Sequence, residues 1–132
     1  MSDDGPGSVF GTEAAVIPLY GHALLMGAAF LLTVVGFAVA RYGRRRPGWL
    51  NRHRFPGVAG AAVAWIGLAF AIFLVRAGGG SHLSSPHGWV GLTTLALLIL
   101  TPSLGQGQFH FRRKALLRGL HRGFGRTTLL AM

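Results

Sequence analysis

Three stretches without a charged residue constrain most strongly what this chain can fold into. They run from Ala14 to Ala40, from Phe55 to Val75 and from Gly88 to Phe111. Each is long enough for the roughly 20 residues with which an α-helix crosses the hydrocarbon core of a bilayer. Because 51% of the 132 residues are hydrophobic and only 12% are charged, the chain also differs from an ordinary soluble domain. The sequence therefore predicts an all-α integral membrane protein.

The pattern is that of a single membrane domain, residues 1–132, with three complete transmembrane helices and an incomplete fourth. The predicted parts are an external N-terminal tail (1–16), three transmembrane helices (17–41, 48–76 and 85–109) and a basic segment that starts a fourth helix (115–132). Ser85 suits the N-cap of the third helix and Pro86 its first position. Only six residues follow Arg126, where a fourth span would need roughly 20.

Three alternatives explain the short fourth segment: a shortened chain, a fourth wall supplied by a partner subunit, or a segment at the membrane surface. Arg118, Arg122 and Arg126 recur every fourth residue, so one side of the segment is cationic and unfavourable in hydrocarbon. We therefore expect it to lie at the cytoplasmic surface with His121 turned inward. Its apolar residues would then pack toward the second helix or a partner, namely Leu116, Leu117, Leu120 and Phe124.

The positive charge lies on one side of the predicted membrane. The net charge is +10, and the basic residues concentrate in segments 41–54 and 112–126, whereas all acidic residues lie in the N-terminal tail. Cytoplasmic loops of membrane proteins carry an excess of Lys and Arg. We therefore expect both basic segments in the cytoplasm, the N-terminus and the loop 77–86 outside, and a bacterial inner membrane as the location. Topology explains the charge, so no nucleic-acid partner is predicted.

Four of the six histidines fall into two pairs at matching depths. His22 and His87 lie near the outer ends of the first and third helices, and His53 and His121 near the cytoplasmic ends of the second and fourth. Two facing imidazoles from alternate helices suit the axial positions of a b-type haem, whose planar ring can lie between packed helices. Each histidine alone is equally explained as a polar residue at the membrane interface, so the prediction depends on the pairing.

Small residues continue the helix faces that carry these histidines. They either leave room for a macrocycle or let two bare helices pack closely, and the sequence alone leaves both explanations open. The positions are Gly57, Gly60, Ala61 and Ala64 after His53, Ala29 and Gly36 after His22, and Gly91 after His87.

The chain contains no cysteine. This excludes c-type haem attachment, iron–sulfur ligation, thiolate zinc sites and disulfides within the chain. A zinc site made of histidines alone stays open, although it would usually need a third protein ligand. The predicted spans contain no Asp or Glu, so a carboxylate proton relay has no support.

At this point the residues carry a family resemblance. In order and spacing, four runs resemble the four-helix core of the cytochrome b561 family, including the versions fused to DOMON domains. They are "GHALLMGAAFLLTVVGFAVARYG", "WLNRHRFPGVAGAAVAWIGLAF", "HGWVGLTTLALLILTPSLG" and "LHRGFGRTTLL", which together cover about residues 21–131.

The resemblance implies a bundle that binds two b haems and passes electrons across the membrane. It implies that His22 and His87 are the iron ligands of the outer haem, and that His53 and His121 are the iron ligands of the inner one. One departure from the family pattern is Thr101, which stands where the family commonly has a glutamine. The role of that glutamine does not carry over to this chain.

Three functions compete at this stage. The first, which we favour, is an electron-transfer cytochrome b that works with other membrane subunits and with an unidentified donor and acceptor, as a carrier rather than a stand-alone oxidoreductase. The second is a membrane reductase whose basic surface binds an anionic reductant or a quinol, and the third is an accessory subunit without redox activity. Arg122 and Arg126 would contact haem propionates or anionic lipid. The basic surface comprises Arg112, Arg113, Lys114 and Arg118.

Overall fold

A computed structural model describes the backbone of residues 7–132 and the side chains from residue 16 onward. It contains four α-helices and, over this range, no strand, which confirms the predicted all-α class. The helices are α1 (Gly7–Tyr42), α2 (Trp49–Ala77), α3 (Pro86–His110) and α4 (Lys114–Ala131). Residues 1–6 of the expected external tail lie outside the described residues, and the rest of that stretch belongs to α1.

Three of the helices contain a segment long and apolar enough to cross a membrane. The segments are Val16–Tyr42, Trp49–Ala77 and Pro86–His110. Large apolar side chains cover their outer surfaces, and Ile17 and Leu24 are 75% and 72% exposed. Such exposure is unfavourable in water, whereas lipid tails are as apolar as these side chains. The exposed surface is therefore the one expected of an integral membrane protein.

The helices form two antiparallel hairpins that pack together as a four-helix bundle. Helix α1 packs along α2, and α3 packs along α4, while α2 and α3, and α1 and α4, meet over shorter stretches. The two remaining pairs are diagonal: among the described residues, no Cα atom of α1 lies within 8 Å of α3, and none of α2 within 8 Å of α4. The bundle therefore leaves space between its diagonal helices.

Small residues hold the α1–α2 hairpin together. Ala29 and Ala64 are fully buried, and a Cβ atom added to Gly60 would lie 3.3 Å from the carbonyl oxygen of Ala29. A Cβ atom added to Gly36 would lie 3.6 Å from the backbone oxygen of His53. These four positions thus serve close helix packing, one of the two explanations that the sequence left open.

Local signals set two of the helix starts. The side chain of Ser85 accepts a hydrogen bond from the backbone N–H of Gly88 at 3.2 Å, and α3 begins at Pro86, which confirms the predicted N-cap. Helix α2 follows Gly48, whose φ of 70° lies in the left-handed region that glycine adopts without a steric penalty. A tight turn therefore joins α1 to α2.

Helix α4 runs antiparallel to α3 for its whole length, which corrects the expectation that this segment packs toward the second helix. Thr94 donates a hydrogen bond to the carbonyl oxygen of Ala131 at 3.2 Å, and the hydroxyls of Thr101 and Thr128 lie 3.4 Å apart. Its 18 residues extend about 27 Å, close to the roughly 30 Å of a hydrocarbon core. The helix can pack in this way because its threonines face α3 while its arginines remain exposed.

Candidate functional site

The predicted histidine pairs meet across the diagonals of the bundle. The ring centroids of His22 on α1 and His87 on α3 lie 6.1 Å apart with an angle of 89° between the ring planes. Those of His53 on α2 and His121 on α4 lie 5.9 Å apart with an angle of 83°. Since the backbones of each diagonal pair stay farther apart than 8 Å, the imidazoles reach toward each other across the gap.

Three of these four imidazoles are oriented by a carbonyl group of a neighbouring helix. The Nδ1 atom of His22 lies 2.9 Å from the oxygen of Gly67, and that of His53 lies 2.9 Å from the oxygen of Gly36. A carbonyl oxygen only accepts hydrogen bonds, so in each case Nδ1 carries the proton. The neutral ring then presents the lone pair of Nε2, which is the tautomer that binds a metal ion.

On the other hairpin, the Nδ1 atom of His121 lies 2.7 Å from the carbonyl oxygen of Thr101. The ring also fills the space beside Gly105, because a Cβ atom added there would lie 3.0 Å from Cε1 of His121. Position 105 therefore admits no larger side chain without displacing the imidazole. His87 differs from the other three, since it is exposed and has no carbonyl acceptor among the described residues.

The acceptors follow a repeated spacing that the sequence analysis missed. Gly36 comes fourteen residues after His22, and Gly67 comes fourteen residues after His53. Thr101 likewise comes fourteen residues after His87. Fourteen residues are close to four helical turns, so each helix presents a histidine and an acceptor on nearly the same face. The recurring interval between a histidine and a later residue was the signal that could have identified them.

This spacing also separates the two sites along the bundle. One site lies at the level of His22 and Gly67, and the other lies at the level of His53 and Gly36. Fourteen residues at 1.5 Å each place the two levels about 21 Å apart. The bundle therefore holds one imidazole pair near each end.

The geometry of both pairs fits a haem iron. Two imidazoles that bind one metal ion from opposite sides, each with a metal–nitrogen distance of about 2 Å, have ring centroids roughly 6 Å apart. Nearly perpendicular ring planes are compatible with this, because each imidazole can rotate about its own metal–nitrogen bond. A Cβ atom added to Gly57 or Gly91, each four residues after a paired histidine, would meet nothing within 4 Å, which leaves open space beside the ligands.

A protein-only metal site fits less well. Among the described residues, no group of three or more His, Cys, Asp or Glu side chains could hold a metal ion. Structural zinc sites use four protein ligands and catalytic ones three. Haem iron takes only its axial ligands from the protein, since the macrocycle supplies the others. Paired imidazoles are therefore the donor set expected for haem.

An aromatic contact at the inner pair was also missed from the sequence. The rings of Trp49 and His53 stack with centroids 6.3 Å apart and planes 29° apart. The guanidinium carbon of Arg44 lies 5.9 Å from the centroid of the Trp49 ring. Trp49 had been interpreted as part of an aromatic belt at the membrane surface. The spacing of four residues between Trp49 and His53 on one helix was the available signal.

The arginines predicted near the inner site lie on the surface of α4. Arg122 directly follows His121, Arg126 lies five residues after it, and both are exposed. The residues of the predicted basic surface are also exposed and lie where α3 ends and α4 begins, namely Arg112, Arg113, Lys114 and Arg118. His82 and His110, the two histidines outside the pairs, are exposed as well.

The bundle and its diagonal pairs define a helical membrane protein with two paired-imidazole sites. The chain belongs to the cytochrome b561 family, because the model of the family described as eukaryotic cytochrome b561 matches residues 15–131. This confirms the resemblance found in the sequence.

A curated relative agrees with this assignment. Ferric-chelate reductase 1 of Mus musculus is 32% identical over 111 residues, which cover 76% of this chain and 18% of the relative. The chain therefore spans less than a fifth of the length of that relative. No solved structure matches the chain.

Proposed function

We propose that this chain is a transmembrane cytochrome b that carries electrons between two b haems. His22 and His87 are the axial ligands of one haem, and His53 and His121 are the axial ligands of the other. The observation that carries the proposal is the presence of two imidazole pairs at ligand distance across the diagonals of the bundle. Membership of the cytochrome b561 family supports it independently.

When bound, the haem irons supply the one-electron chemistry, and the residues of the chain orient the groups and exclude water. The carbonyl groups of Gly67, Gly36 and Thr101 hold the protons of three Nδ1 atoms, which orients each ring and makes its Nε2 a stronger donor. Apolar side chains between the two levels keep water out of the bundle. Electrons would therefore cross the membrane between sites about 21 Å apart along the helix axes.

The proposed orientation follows the distribution of charge. The ends of α1 and α3 and the starts of α2 and α4 carry nearly all of the basic residues, so we place this end, called here the basic end, in the cytoplasm of a bacterial cell. The inner haem would then be the one held by His53 and His121. Arg122 and Arg126 are the side chains proposed to neutralise its propionates, since they lie close to His121 in sequence.

The name of the mouse relative suggests one terminal electron acceptor. As a second candidate function, the chain would reduce a ferric chelate at one membrane face, an activity proposed here from the 32% identity with ferric-chelate reductase 1. A reductant would then deliver electrons at the other face. The exposed cationic surface where α3 meets α4 would suit an anionic reductant, and further membrane subunits would cover the exposed apolar surface of the bundle.

Haem content tests the main proposal. The purified chain should give a b-type reduced-minus-oxidised spectrum with two haems per chain. His22→Leu and His87→Leu should each remove one haem, and His53→Leu and His121→Leu the other. His82→Leu and His110→Leu are the matched controls and should keep both. Full haem content in all four ligand variants would refute the assignment.

A further inference from the structure

A groove on the surface of the α1–α2 hairpin changes from apolar to cationic along its length. Its volume is about 480 Å³. The residues used below that line it are Val35 and Val39 of α1 and Asn51, Arg52, Phe55 and Pro56 of α2. Asn51 and Arg52 are its polar lining residues, and both lie in the first turn of α2.

The polarity of the groove follows the depth of the membrane. Arg52 lies close to the start of α2 at Trp49, so it lies at the level of the headgroups at the basic end. The α1 wall extends from Val39 back to Leu32, a distance of roughly 10 Å along the helix axis. The apolar part therefore extends into the hydrocarbon, and its occupant needs a polar head and an apolar chain in the same order.

The groove lies away from the paired imidazoles. Arg52 precedes His53 by one residue and Phe55 follows it by two, which places them about 100° and 160° around α2 from His53. Phe55 is also 74% exposed. The occupant would therefore contact the outer surface of the hairpin, where lipid surrounds the protein, whatever its haem content.

The polar lining residues favour an anionic head. The guanidinium group of Arg52 binds phosphate oxygens through several N–H donors, and the amide of Asn51 supplies a further donor. Basic pockets between transmembrane helices at the cytoplasmic side recognise anionic headgroups in this manner. A neutral quinone would leave the charge of Arg52 without a partner in the groove.

We propose that the groove binds an anionic phospholipid from the leaflet at the basic end. Its phosphate lies at Arg52 and Asn51, and one acyl chain lies along Val39, Val35 and Leu32. Pro56 lines the same groove and packs against α1, since a Cβ atom added to Gly36 would lie 3.6 Å from its Cγ. The bound lipid therefore also holds α1 against α2.

Native mass spectrometry of the purified full chain tests this site. Phosphatidylglycerol and phosphatidylcholine with identical acyl chains are added in separate titrations, and the lipid that stays bound is counted. The parent should retain one phosphatidylglycerol in preference to phosphatidylcholine. Arg52→Gln should weaken the retention of phosphatidylglycerol about fivefold, which corresponds to the loss of one basic contact near a membrane surface. Val35→Trp, which fills the apolar part of the groove, should weaken the retention of both lipids.

Arg54→Gln is the matched control, because Arg54 is exposed on the opposite flank of His53 and does not line the groove. It removes the same charge at the same depth and should leave retention unchanged. Equal losses for Arg52→Gln and Arg54→Gln would show a general effect of charge and overturn the site. Equal retention of the two lipids by the parent, or displacement of the lipid by a neutral quinone at equal concentration, would also overturn it.

Discussion

The Nδ1 atom of His121 lies 2.7 Å from the carbonyl oxygen of Thr101, a residue of the neighbouring antiparallel helix. The contact uses the backbone of Thr101, whereas its hydroxyl lies 3.4 Å from that of Thr128. The residue type at position 101 is thus not required for the bond to His121. A glutamine at this position, as is common in the family, would present the same carbonyl group.

Gly105→Ala should disturb the inner site alone. The added Cβ atom would lie 3.0 Å from Cε1 of His121, and overpacking of this kind costs about 1–3 kcal/mol. We expect loss or weaker retention of one haem, measured as haem per chain, while the other stays. Gly119→Ala is the control, because nothing lies within 4 Å of its added Cβ atom. An unchanged haem content in Gly105→Ala would contradict the position of the His121 ring.

Trp49→Leu should alter the inner site by removing the ring that stacks on His53. Aromatic stacking contributes about 0.5–1.5 kcal/mol beyond the area it buries. We therefore expect weaker retention of the inner haem and a reduction potential shifted by up to about 60 mV, measured by a redox titration. Trp65→Leu removes an exposed ring on the same helix and should change neither quantity. Identical titrations for both variants would mean that the stack has no effect on the ligand.

Thr128→Val should loosen α4 from α3. The side chain of Thr128 is 1% exposed, and its hydroxyl donates to the carbonyl oxygen of Phe124 at 2.7 Å and lies near that of Thr101. Loss of these bonds without a change in shape should cost about 1 kcal/mol, seen as a lower thermal unfolding midpoint. Thr127→Val alters an exposed neighbour and should have little effect. Equal midpoints for the two variants would argue against this packing of α4.

Cysteine labelling tests the orientation in the membrane. Because the chain has no cysteine, Ser81→Cys and Arg45→Cys each introduce a single reactive thiol. In intact cells, a membrane-impermeant reagent should label position 81 in the loop between α2 and α3 and leave position 45 in the basic turn unlabelled. The reverse pattern would invert the proposed orientation and exchange the inner and outer sites.

The sequence was sufficient to predict the helices and the residues that pair. Apolar length located the spans, and the equal depth of His22 with His87, and of His53 with His121, indicated which imidazoles meet. The acceptors were harder to predict because a backbone carbonyl is present at every residue. Only the packing of α2 on α1 shows that Gly67 and Gly36 supply the bonded ones.

The position of α4 was not predictable from composition. Its arginine stripe argued for the membrane surface, because charge is unfavourable in hydrocarbon. The structure instead packs the opposite side of the helix on α3 through Thr128 and leaves Arg118, Arg122 and Arg126 exposed. Side chains of a helix point toward its N-terminus, which for α4 is the basic end. The arginines can therefore reach back toward the headgroups, as Arg118 does when it donates to the carbonyl oxygen of Lys114.

The fourteen-residue interval makes the helices, rather than the loops, the parts of this protein that cannot change length. An extra residue between His22 and Gly36 would rotate one of them by about 100° relative to the other, so the hairpin could keep only one of its two exchanged hydrogen bonds. A residue added to the turn at 43–48 or to the loop at 78–85 would alter neither interval. Insertions and deletions should therefore be tolerated at the membrane surfaces and excluded from the stretches that separate each histidine from its acceptor.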